Sequence, residues 1–259
     1  MNGNRFKIAL IQDRPLTGFW LTLCSPTVTE IAAQSGADWV LLDMEHSPSD
    51  LSMILDQLRA ARGGATEPVV RPPFSEQVMT KRLLDIGART LMFPMIQSAE
   101  MAAEAVSWTR YPLKGVRGYS GITRANDYGR QSDYLESCEQ DICVIAQIET
   151  PEAIEAIPGI AAVEGVDAIF IGPGDLAASM GKLGTVAAAE VQEAIGRATE
   201  AAHAAGTPIG ILGYGEAAAR KYFESGINFV AIAGDAWLMA KSMGAMLQAL
   251  PKECDGHER

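Results

Sequence analysis

The chain holds 259 residues, with 21 Lys and Arg against 32 Asp and Glu for a formal net charge of −11. Its apolar share of 48% is too high for a disordered chain. The acidic balance argues against nucleic acid and anionic membrane surfaces as partners, because both reward basic patches. Along the chain, short apolar runs alternate with amphipathic stretches. Gly18–Leu23 predicts a strand, and Thr27–Ser35 a helix with Val28, Ile31, Ala32 and Ser35 on one face. Trp39–Asp43 is the second strand. Asp50–Ala61 follows as a helix, placing Leu51, Ile54, Leu55 and Leu58 at spacings of three and four. Val69–Arg71 and Leu91–Pro94 are strands on either side of a helix over Ser75–Ile86. Next come a helix over Ala99–Thr109, strands over Ile142–Ile148 and Ala168–Ile171, and a helix over Val186–Ala205. The pattern ends with strands Ile209–Leu212 and Phe229–Ala233 and helices Ala217–Ser225 and Trp237–Leu250.

These strands are short and mostly apolar, as in a parallel sheet covered on both faces. Gly36, Gly87, Gly206 and Gly226 each stand where a helix would end before the next strand. Eight strands with intervening helices and a final helix predict an α/β fold, a (β/α)8 barrel, in one domain over residues 1–259. A short polar tail from about residue 251 is expected to be mobile. The rival is a doubly wound sheet, but no GxGxxG follows any strand.

No run of about 18 apolar residues predicts a transmembrane helix. Ile8–Ile11 is too short for a signal-peptide core of roughly 7–15 residues. Cys24, Cys138, Cys143 and Cys254 form no CxxC and no dense framework, so reduced thiols and a cytoplasmic location are expected.

In such a barrel, chemistry gathers at the C-terminal ends of the strands. The polar residues there are Asp43, Glu45 and His46 after the second strand and Arg71 at the end of the third. Gln147 and Glu149 end the fifth, and Gly172-Pro173-Gly174-Asp175 follows the sixth; the seventh and eighth offer little side-chain chemistry. Neighbouring strands lie about 4.8 Å apart, so Glu149 and Asp175 can reach one point. Two carboxylates there suit a hard divalent ion, magnesium or manganese above zinc. Alternatively, each is a helix N-cap. His46 suits proton transfer, or is structural; the other two histidines, His203 and His257, are expected to be solvated. Arg71 suits a carboxylate or enolate ligand, or pairs with Asp43 or Glu45. The Gly172–Asp175 turn offers backbone N–H groups to a small carboxylate, or is an ordinary turn. None of the seven lysines ends a predicted strand, which argues against Schiff-base chemistry.

At these residues the chain resembles the HpcH/HpaI aldolase family of metal-dependent pyruvate aldolases. The likeness runs from about Gly18 to Leu247 through Asp43-Met44-Glu45-His46, Pro68-Val69-Val70-Arg71-Pro72, Leu83-Leu84-Asp85-Ile86-Gly87-Ala88, Thr109-Arg110-Tyr111-Pro112, Gln147-Ile148-Glu149, and Gly165-Val166-Asp167 through Leu176. Arg117-Gly118-Tyr119-Ser120, Arg124-Ala125-Asn126 and Gly129 look most like the 2-dehydro-3-deoxyglucarate aldolase branch. The resemblance implies a barrel whose last helix swaps onto a second subunit, with dimers assembling into a hexamer, a trimer of dimers. It implies Glu149 and Asp175 as ligands of Mg2+ or Mn2+, with Co2+ as a further candidate. Gln147 would support the metal shell, and the Gly174 and Asp175 N–H groups would hold the pyruvate carboxylate. Arg71 would sit on the keto oxygen, and His46, paired with Asp85, would move protons. The family usually has Ala or Ser where Gly174 stands.

The expected reaction is reversible cleavage of a 4-hydroxy-2-oxo acid of the 2-keto-3-deoxy sugar acid type into pyruvate and an aldehyde. Its partners are thus a small 2-oxo acid and an aldehyde, with neither nucleic acid nor membrane. The alternatives are keto-acid condensation or oxaloacetate decarboxylation on the same enolate chemistry, or a non-catalytic barrel that binds a 2-oxo acid.

Overall fold

All eight predicted strands form, and they close into one parallel barrel in sequence order in the computed structural model, which describes residues 3–12 and 14–250. The strands are β1 (Leu16–Leu21), β2 (Trp39–Asp43), β3 (Glu67–Arg71), β4 (Thr90–Phe93), β5 (Cys143–Ile148), β6 (Ala168–Ile171), β7 (Ile209–Leu212) and β8 (Phe229–Gly234). β8 pairs with β1 to complete the ring, with a register shift between Gly18 and Phe19. Side chains alternate between two cores, which is why the strands carry no polar face. Trp39, Leu41, Val69, Phe170 and Phe229 fill the barrel, while Val40, Leu42, Val70, Ile169 and Val230 pack under the helices. Gly18 and Gly210 belong to this packing, because a Cβ at either would overlap the Trp39 or the Phe229 ring.

The crossover helices begin where the sequence supplies a side-chain oxygen. Ser25 caps α2 (Pro26–Ala33), Asp50 caps α3 (Leu51–Ala60), Glu76 caps α4 (Gln77–Asp85) and Ser98 caps α5 (Ala99–Thr109). Four of them run into the predicted glycines, and Gly36, Gly87, Gly206 and Gly226 all have positive φ.

Five α-helices lie outside the predicted set. α1 (Arg5–Ile11) closes the N-terminal end of the barrel, its Phe6 ring edge-on to Trp39 at 5.8 Å and to Phe229 at 5.3 Å. α6 (Tyr134–Asp141) precedes β5. The β5–β6 crossover is split into α7 (Pro151–Glu155) and α8 (Ile157–Ala161), because Pro158 cannot donate back into α7. The remaining helices are α9 (Pro173–Ser179), α10 (Ala189–Ala204), α11 (Glu216–Glu224) and α12 (Asp235–Ala249).

α12 buries only Asp235, and Leu238, Met239, Met243, Met246 and Leu247 are exposed. No helix among the described residues is long and apolar enough to cross a membrane. Cys24, Cys138 and Cys143 are free thiols. The predicted tail, with Cys254 and His257, lies outside the described residues.

Candidate active site

At the C-terminal mouth, β2 and β3 end side by side, with Asp43 in register with Arg71. The guanidinium forks onto Asp43, from Nε to Oδ1 at 2.9 Å and from Nη2 to Oδ2 at 2.7 Å. Nη1 lies 2.7 Å from Glu45 Oε2. The Trp20 ring lies under the guanidinium at 4.6 Å, and its Nε1 donates to Asp43 Oδ2 at 3.2 Å. Of the two sequence readings of Arg71, the ion pair is therefore made, and it takes up both Asp43 and Glu45. Burial would raise the Asp43 carboxyl, but the Arg71 hydrogen bonds and charge hold it below the ordinary carboxylate value. Glu45 goes the other way: burial pushes it up despite Arg71 and His46.

β5 and β6 bring up the two candidate metal ligands. Glu149 is buried, and its Oε2 accepts from Met95 N at 2.8 Å and its Oε1 from Gln147 Nε2 at 2.6 Å. Met95 aims its N–H there from a left-handed backbone, φ 54°. Gly172 lets the β6 turn pass beside this carboxylate, since a Cβ there would overlap Glu149 Oε1. Burial, with the Asp175 and Glu45 charges added, pushes Glu149 from 4.5 up to about 7, against the Met95 and Gln147 hydrogen bonds. Neither acid is a helix cap. Thr150 caps α7, and Asp175 sits inside the first turn of α9, whose N-cap is Gly172. Gln147 Oε1 is buried and without a hydrogen-bond partner.

Both strand-end groups open onto one cavity of about 650 Å3, which Trp20, Asp43, His46, Arg71, Gln147, Gly174 and Asp175 line. Gly174 faces open space, with nothing within 4 Å of a Cβ built on it. The turn therefore does not demand glycine. Among the described residues, no three of His, Cys, Asp and Glu gather as a metal cage.

The expected partnership of His46 and Asp85 is not made within the chain. His46 lies in the loop after β2, at the mouth, and its ring makes no hydrogen bond among the described residues. Asp85 ends α4, which runs antiparallel to the strands, so it lies at the opposite end of the barrel. There its Oδ1 accepts from Arg117 Nη2 at 3.1 Å. Arg117 is buried between the Tyr111 and Tyr134 rings, 4.5 and 5.9 Å away.

The HpcH/HpaI aldolase/citrate lyase family model matches residues 16–242. The chain belongs to that family. It is 45% identical to a hydroxypyruvate/pyruvate aldolase of Agrobacterium fabrum, covering 94% of this chain and 92% of that one. It is also 45% identical to a 5-keto-4-deoxy-D-glucarate aldolase of Salmonella arizonae, covering 90% and 91%. A crystal structure of an HpcH/HpaI aldolase/citrate lyase family protein from Burkholderia cenocepacia superposes with a TM-score of 0.92 at 41% identity, covering 95% and 98%.

Beside the residues expected from the family likeness, the cavity has lining the sequence did not reveal. Trp20, beneath the Arg71 guanidinium, was not among the expected residues, whereas Asp43 was one of the two partners foreseen for Arg71. Leu212, Tyr214, Lys221 and Tyr222, from β7 and the segment after it, line the cavity with Gln192 of α10. Lys221 is thus a lysine at the cavity, carried by a helix face and not by a strand end.

Proposed function

We propose that this protein is a class II, divalent-metal-dependent pyruvate aldolase that cleaves or forms 4-hydroxy-2-oxo acids of the 2-keto-3-deoxy sugar acid type. The chain is a carbon–carbon lyase of the aldolase class, as its family membership and its relatives at 45% identity support. The observation that carries the reading is the buried Glu149, pushed up to about 7 with the Asp175 charge acting on it, while Asp175 and Gln147 line the cavity. Such a carboxylate pair is costly unless a cation joins it. The buried, unpartnered Gln147 Oε1 adds a hard oxygen beside it. Two carboxylates and an amide oxygen, with room for water and a bidentate 2-oxo acid, suit Mg2+ or Mn2+, with Co2+ as a further candidate.

When bound, such an ion supplies Lewis acidity to the 2-oxo oxygen. The chain's residues do the rest. Arg71, held in plane by Asp43 and Trp20, presents its remaining N–H groups to the oxygen on which charge grows. The unpaired Gly174 and Asp175 N–H groups in the first turn of α9 orient the pyruvate carboxylate. His46 takes the proton from the 4-hydroxyl as the C3–C4 bond breaks, and the electron pair passes into the enolate of pyruvate. Protonation at C3 then completes pyruvate.

Asp85 joins this machinery only from a second copy, since its own His46 is at the far end of the barrel. The exposed Leu238, Met239, Met243, Met246 and Leu247 of α12 support such an assembly, a swapped dimer built into a hexamer. Three free thiols support a reducing, cytoplasmic setting. The test is pyruvate release from a panel of 4-hydroxy-2-oxo acids, with oxaloacetate alongside, before and after metal removal. Release from the hydroxy acids that stops in EDTA and returns with Mg2+ or Mn2+ is expected. Undiminished release after chelation, or release from oxaloacetate alone, would overturn the proposal.

A further inference from the structure

At the N-terminal end of the barrel, away from the mouth, a second cavity of about 600 Å3 lies between α1, the turn after α2 and the loop before β3. Arg5, Arg14, Gly36, Ala37, Ala65 and Thr66 are among the residues that line it. The helix stops at Gly36, Gly87, Gly206 and Gly226 share a left-handed glycine. At the last three, the glycine N–H and the N–H after it turn back onto helix carbonyls, at 2.9 and 3.0 Å for Gly87 and Ala88. At Gly36 they do not. Ser35 Oγ donates to Ala32 O at 2.7 Å and Thr66 Oγ1 to Ala33 O at 2.8 Å, so hydroxyls occupy the carbonyls that these two N–H groups need. Among the described residues, the N–H groups of Gly36 and Ala37 therefore make no hydrogen bond, and neither do those of Ala65 and Thr66.

Two guanidiniums stand with them. Arg5 donates from Nη1 to the neutral Gly64 O at 3.1 Å. Arg14 donates from Nη1 to Asp38 Oδ1 at 2.7 Å, and Asp38 Oδ2 accepts from Thr17 N at 2.9 Å. Asp38 is the one carboxylate among the described lining residues, so the cavity carries a net positive charge in a chain of net charge −11. Glu67, which feels the Arg5 charge, is paired with Arg89 at 2.7 Å.

We propose that this cavity is an anion site whose ligand is a small phosphate monoester. Successive N–H groups beside a left-handed residue form an anion-binding concavity, and arginine forks match phosphate oxygens. Four N–H groups and two guanidiniums exceed the roughly four acceptor sites of a carboxylate and suit a phosphate, and the volume leaves room for the esterified fragment. The ligand ties Arg5 of α1 to the turn after α2. The site stands apart from the mouth and does not depend on the aldolase reading.

The test is calorimetric titration of glycerol 3-phosphate into the metal-free full chain. Arg5→Gln and Arg14→Gln should each weaken binding about tenfold, the scale of one charge-assisted hydrogen bond. Gly63 also lines the cavity, and a Cβ built on it meets nothing within 4 Å, so Gly63→Leu should block the site without removing a charge. D-Glycerate, the carboxylate counterpart, should bind the wild type about fivefold more weakly than the phosphate. No binding by the wild type at about 10 mM would overturn the assignment. So would glycerate binding as tight as that of the phosphate, or equal phosphate binding by all three variants, which would put the ligand at the mouth.

Discussion

Replacing Glu149 with Gln should stabilise the metal-free protein at alkaline pH while removing its response to metal. Free of metal, Glu149 is held in a place that disfavours its charge: burial, Asp175 and Glu45 lift it from 4.5 to about 7. A group whose folded value is raised adds stability in full below its unfolded value and loses it as the pH rises through the folded one. The window therefore runs from about pH 4.5 to about pH 7. Across it the wild type should lose about 3 kcal/mol that the neutral amide keeps. For a chain of this size that is about 6–12 °C in Tm. The Gln side chain still offers Met95 N an acceptor, and its NH2 can donate to the Gln147 Oε1 once that amide turns over. Denaturant unfolding in EDTA from pH 5 to 8.5 reads the difference directly. Mg2+ or Mn2+ should then raise the wild-type Tm and leave Glu149→Gln where it was, by mass action on the folded state. A gap that stays flat with pH, or a wild type more stable than the variant at pH 8, would refute the reasoning.

Arg71→Ala or Glu149→Ala should lower turnover by about 100-fold or more, the usual loss of one electrostatic stabiliser, as measured by pyruvate release. Asp43→Asn breaks a buried fork and should cost about 3 kcal/mol in denaturant unfolding, less where Glu45 takes over Arg71. Gly174→Ala should be neutral or stabilising by up to about 1 kcal/mol, since its Cβ meets nothing, and kcat/KM should hold. Gly210→Ala should destabilise by about 1–3 kcal/mol in the same assay, because the new methyl overlaps the Phe229 ring.

The barrel was legible because its signals are local. A strand buried on both faces must be apolar throughout, and a helix must be stopped, so Gly36, Gly87, Gly206 and Gly226 mark boundaries in plain sequence. The nearness of Glu149 and Asp175 was legible too, since strand order alone makes them neighbours. The unreadable parts depend on packing between distant segments. Phe6 means little until Trp39 and Phe229 converge on it. Trp20 means little until the closed barrel sets its ring under Arg71. Lys221 falls on a helix face, where periodicity predicts only solvent. Asp85 was matched to His46 by family likeness, and the antiparallel course of α4 carries it to the other end of the barrel.

The aromatic plug beneath the strands governs traffic through the molecule. With Phe6, Trp39 and Phe229 filling the floor, the described residues leave no doorway on that side, so reactants of the proposed reaction would pass in and out through the same rim. Whichever fragment sits nearer that rim has to depart first. The sequence of product release, a kinetic property, thus traces back to a seven-residue N-terminal helix that never meets the substrate.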